Sequence, residues 1–154
     1  MITASFGFFL ACAPSSWAQY GPFAELPGNW AGEGVMTLQN GGSDRIRCQA
    51  LYVVSADGND LEQSLRCAGA ADQFDLKSAV TYRGGDVFGT WSESGRKISG
   101  RLEGRAGGGH FKVDIKGPAF DATLTLVTYG NIQSISIRSN NEVRDISIRL
   151  VRSN

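Results

Sequence analysis

Beyond residue 18 the sequence has no stretch of helical period and no apolar run long enough to cross a bilayer as a helix. The first absence excludes helix-based architectures, and the second leaves no transmembrane helix. Histidine occurs once and cysteine three times, and with residues 1–18 removed the two remaining cysteines lack the additional Cys or His ligands of a metal centre. Excess charge is missing as well. Fifteen Lys and Arg balance fifteen Asp and Glu, for a formal net charge of zero, so the basic face that nucleic acid or an anionic membrane selects is not there. Arg45, Arg47, Arg66, Arg101, Arg105, Lys112 and Lys116 alternate with apolar residues, which is the pattern of a solvated outer face of strands.

Catalytic signatures are also lacking. The single histidine, His110, follows Gly107-Gly108-Gly109 on the polar side of its segment, the place of a solvated turn histidine rather than a general base. A glycine-rich phosphate cradle needs a following helix, and none follows. Glu33 and Glu93 come three and two residues after Trp30 and Trp91, so they face opposite ways relative to those tryptophans and form no glycosidase-like pair. The serines lie in no nucleophile elbow. The sequence therefore predicts a protein that is not an enzyme and needs no cofactor.

What is present begins with an export signal over residues 1–18. Ile2 to Ala13 is apolar, and Ser16-Trp17-Ala18 sets small residues where a signal peptidase reads, so the mature chain is expected to start at Gln19 in the periplasm or outside the cell. No Lys or Arg precedes the apolar stretch, which implies a translation start upstream of Met1. Phe9-Leu10-Ala11-Cys12 offers an alternative, a degenerate lipobox that would put a lipid on Cys12.

The remainder reads as a short N-terminal extension, 19–28, and one β domain, 29–154. About ten strands follow one another: Trp30–Leu38, Ile46–Val54, Leu61–Cys67, Gln73–Tyr82, Asp86–Ser92, Lys97–Gly104, His110–Lys116, Phe120–Thr128, Ile132–Arg138 and Asp145–Arg152. Each alternates between a wet and a dry face. Connections this short lay each strand beside its predecessor, which predicts an all-β antiparallel up-and-down meander. Closure into a barrel would remove the two exposed edges. If Asp57-Gly58-Asn59-Asp60 turns the second hairpin so that Val54 meets Leu61, then Cys48 falls directly opposite Cys67 on the same face. In an oxidising compartment that pair forms a disulfide.

The same reasoning, carried from hairpin to hairpin, predicts one interior row of Gly32, Tyr52, Gln63, Ser78, Gly89 and Gly100 between two apolar rows. Tyr52, Gln63 and Ser78 would supply hydrogen bonds to a ligand, with Trp91 and Leu65 as apolar walls. The competing expectation is that the glycines let the sheet coil tightly while the three polar groups satisfy one another or a buried water.

Gly28-Asn29-Trp30 and Gly89-Thr90-Trp91, in an all-meander layout, resemble the calycin-type barrels, the lipocalins and above all the avidins, whose first strand opens with a similar Gly-x-Trp. The export junction Trp17-Ala18-Gln19 and the paired cysteines resemble small exported bacterial proteins. The barrel resemblance implies closure around a cavity at one end. It does not extend to a biotin site, because only Trp30 and Trp91 remain in the mature chain, and Trp30 is expected to plug the barrel base. The functional expectation is an exported, non-enzymatic barrel that holds a small apolar ligand. The alternative is a structural or protein-interaction component of the cell envelope with a filled core.

Overall fold

The computed structural model describes residues 20–70, 72–118 and 120–153. The export signal, the Gln19 terminus and Cys12 lie outside the described residues. Ten strands run in chain order: β1 (Gly28–Leu38), β2 (Ser43–Val54), β3 (Asp60–Gly69), β4 (Gln73–Arg83), β5 (Asp86–Glu93), β6 (Ile98–Gly107), β7 (His110–Gly117), β8 (Phe120–Tyr129), β9 (Ile132–Ser139) and β10 (Val143–Ser153). Each pairs antiparallel with the next, and β10 returns to β1 to close the barrel. Alternation builds the wall: in β7, Phe111 and Val113 are buried while Lys112 and Asp114 are exposed. Closure leaves no strand with an unpaired edge.

Cys48 lies opposite Cys67 in the β2–β3 ladder and is joined to it by a disulfide across a Cα separation of 4.1 Å. The β2–β3 and β3–β4 registers follow the sequence reading. Three others differ. Gly28 rather than Gly32 stands opposite Tyr52, Trp91 rather than Gly89 stands opposite Ser78, and Gly100 stands opposite Trp91. The turns decide these shifts. Leu38 N–H donates to Gly42 O at 2.8 Å, so the first hairpin closes tightly and Ser43 to Arg45 join β2 instead of the loop. The β4–β5 turn is Gly84-Gly85 with φ of 57° and 98°, the two positive angles that a two-residue type I′ turn requires. Lys97, read as the first residue of a strand, sits in the β5–β6 turn at φ 53°. Every shift is by an even number of residues, so no side chain changed faces.

The two barrel ends differ. At the end carrying the β2–β3 turn, Gly21 and Phe23 N–H donate to Asp57 and Gly58 carbonyls at 2.8 and 3.1 Å, which draws residues 21–27 across the opening. Phe23 stacks on Phe111 with ring centroids 5.3 Å apart. Trp30, buried beneath, donates its Nε1–H to Leu26 O at 3.0 Å, and the Arg152 guanidinium lies 4.3 Å over its ring. Arg152 also donates to the carbonyls of Glu25 and Pro27, clamping the segment in place. Nothing comparable crosses the other end among the described residues.

Candidate functional site

The barrel encloses a cavity of about 790 Å³. Phe23 and Leu26 form its floor. Apolar side chains such as Leu76, Ile98, Ile115, Leu124 and Ile146 form its walls, and charged residues of the β3–β4, β5–β6 and β9–β10 connections surround its mouth.

Against the apolar wall runs one chain of polar groups. Ser78 Oγ–H donates to Gln63 Oε1 at 3.0 Å, Gln63 Nε2–H to Tyr52 OH at 3.4 Å, Tyr52 O–H to Gln133 Oε1 at 2.5 Å, and Gln133 Nε2–H to Thr128 Oγ1 at 3.1 Å. Its middle is dry: Tyr52 is 1% and Gln133 0% exposed, whereas Gln63 and Ser78 are half-buried. Burial holds the Tyr52 phenol well above its ordinary pKa, outweighing the opposing effect of its bonds to Gln133 and Gln63. Tyr52 is thus a neutral donor over the whole physiological range.

Of the five residues singled out by sequence, Tyr52, Gln63, Ser78 and Trp91 border the cavity, while Leu65 is buried but does not border it. Trp91 donates Nε1–H to Lys116 O at 3.1 Å and packs on Phe120 with centroids 5.6 Å apart. Gly100 makes this pose possible. A Cβ there would stand 1.8 Å from Lys116 O and 2.9 Å from Trp91 Nε1. Likewise a Cβ on Gly89 would stand 2.0 Å from Ala79 O, so these inward glycines permit close strand approach rather than leaving open space. His110 is exposed in the β6–β7 hairpin.

The sequence reading does not include Gln133, and it names Glu93 only as half of a rejected carboxylate pair. Gln133 shares the parity of buried Ile135 and Ile137 in β9, a signal visible had the row been followed past the sixth strand. Glu93 shares the face of Trp91 and is 4% exposed at the mouth. Its carboxylate accepts from the backbone N–H groups of Asp75 at 3.1 Å, Gly95 at 3.0 Å and Arg96 at 2.7 Å, with the Arg96 guanidinium 3.6 Å away. Burial alone would raise its pKa. The three backbone donors and Arg96 overcome that and hold it below the ordinary carboxylate value. Among the described residues no three His, Cys, Asp or Glu side chains converge as a metal site.

No protein-family model matches the chain, and no curated protein does. Solved structures do. Rv2717c from M. tuberculosis superposes with a TM-score of 0.64 at 15% identity, over 85% of this chain and 94% of that one. The S-type phycobiliprotein lyase CPES from Guillardia theta superposes with a TM-score of 0.61 at 10% identity, over 86% of this chain and 90% of that one. The fold is calycin-like. At such identities the likeness establishes the architecture of this calycin-like barrel and leaves its function to its own residues.

Proposed function

We propose that this calycin-like barrel is an exported, non-enzymatic protein that binds a small, largely apolar ligand in its interior. The carrying observation is the open interior of about 790 Å³, a size and mostly apolar lining typical of small-molecule sites. A filled-core envelope component would need that space packed. Gln63, Ser78 and Tyr52 give the cavity its polar side and Trp91 an aromatic wall. Export is supported by the N-terminal sequence and by the Cys48–Cys67 disulfide, which suits an oxidising compartment. The lyase with the same fold shows that such a barrel can host chemistry. The non-enzymatic reading rests on the absence of a catalytic grouping among the polar residues that border this cavity. Native mass spectrometry of the protein purified from its own host is the test. A retained species of defined mass, lost on unfolding, is expected; bare polypeptide from material that also takes up no apolar probe would overturn the reading.

A further inference from the structure

The ligand class follows from where the interior is polar and where it is charged. Ser78 stands midway along β4, and Gln63, Tyr52 and Gln133 lie toward the closed end of their strands, so the hydrogen-bonded chain runs from the middle of the barrel toward its closed end. Its bonds also leave defined valences. Gln133 Nε2 is turned to Thr128 and its Oε1 accepts from Tyr52, so the Tyr52 oxygen accepts from Gln63. Gln63 therefore keeps one N–H unspent, and Ser78, whose proton goes to Gln63, keeps its lone pairs. Both residues are half-buried and border the cavity, so these are the valences within reach of a molecule inside it.

The cations bordering the cavity are Lys77, Arg96 and Arg144, from the mouth half of β4 and from the connections and strand starts at the mouth. Arg96 is matched by Asp72 and Glu93, and Arg144 by Asp145 at 3.0 Å. Lys77 precedes Ser78 in β4 but is exposed on the outward parity of that strand, so it turns away from Ser78, Gln63 and Tyr52. A carboxylate carried to those three residues would lose its water without a counter-charge, which weakens its binding. A hydroxyl or carbonyl would find a donor and an acceptor waiting.

We propose, resting on the binding reading above, that the barrel takes a neutral, elongated, apolar molecule bearing a single hydroxyl or carbonyl, which enters polar end first and hydrogen-bonds to Gln63 and Ser78. Tyr52, Gln133 and Thr128 are positioning residues that fix the orientation of the Gln63 amide. The opposite arrangement, an anionic head held at the mouth with its tail inside, predicts the reverse preference.

Displacement of the neutral fluorescent probe N-phenyl-1-naphthylamine by decanol and by decanoate, at about pH 8 where the acid is ionised, separates the two. Decanol is expected to displace the probe at a concentration at least about tenfold lower than decanoate, the difference one uncompensated interaction makes. Gln63→Leu should weaken decanol about tenfold and leave probe binding within about twofold. Ser78→Ala, which keeps the Gln63–Tyr52 bond, should weaken it by a smaller factor and serves should Gln63→Leu fail to fold. If the probe binds but decanoate matches or beats decanol, or neither variant changes decanol, the polar-end-inward proposal falls while the binding reading stands. If the probe does not bind at all, both fall.

Discussion

Reducing the Cys48–Cys67 disulfide should lower stability by about 3 kcal/mol, and the estimate follows from chain length. The bridge joins residues 19 apart in sequence. Cross-linking a loop of that size removes on the order of 11 cal/mol/K of entropy from the unfolded chain, which is about 3 kcal/mol at 25 °C. The effect acts on the unfolded state, because in the folded state Cys48 and Cys67 are held opposite each other by the β2–β3 ladder whether or not they are bonded. Two consequences can be measured together. In a chain of this size the melting temperature should fall by about 6–12 °C on reduction. The urea m-value should rise as well, since the reduced unfolded chain exposes more surface. Both sulfurs are buried, with the cysteines 2% and 3% exposed, so the reduced protein is prepared by unfolding in reductant and refolding. A drop in melting temperature below about 2 °C, or an unchanged m-value, would refute this account of what the bridge does. Two titratable thiols in the exported, folded protein would refute its formation in the cell.

Two substitutions test the packing around the mouth. Glu93→Gln should destabilise by about 2 kcal/mol near neutral pH, because a buried carboxylate holding three backbone N–H groups is replaced by an amide that can present only one oxygen to them. Its pKa is lower folded than unfolded, so the carboxylate's contribution is complete above its ordinary value of 4.5 and fades as pH falls through the depressed folded value. Thermal melts from about pH 7 to about pH 3 should show the wild type converging on Glu93→Gln; a gap that stays constant on acidification would contradict the assigned role. Gly100→Ala should cost about 1–3 kcal/mol and expel the Trp91 indole from its contact with Lys116 O, since the added methyl overlaps both. A red-shifted Trp emission checks it, and an unchanged spectrum with unchanged stability would show that the strands yield instead.

Facing and order were legible in this sequence because both depend on period alone. A side chain two residues from a buried one is buried too, and Tyr52, Gln63 and Ser78 share the interior face for that reason. Register depends on turns, and there the reading succeeded or failed with turn chemistry. Asp57-Gly58-Asn59-Asp60 was placed correctly, and with it Cys48 opposite Cys67. Gly84-Gly85 was not treated as a two-residue turn, and Ser78 was therefore set opposite Gly89 instead of Trp91. That one slip conceals how the site is made. Trp91 belongs in the polar row itself, beside Ser78 on one strand and Gly100 on the other, and the glycine exists so that the indole can lie against β6 and reach the backbone of β7. For Gln133 the parity of β9 shows the interior face but not the partner. Its partner Tyr52 lies 81 residues away, across the barrel interior rather than along a hairpin, and no pairwise walk from strand to neighbouring strand brings such residues together. The Tyr52–Gln133 bond joins strands that are not neighbours and so depends on closure, whereas the Ser78–Gln63 and Gln63–Tyr52 bonds lie within paired strands.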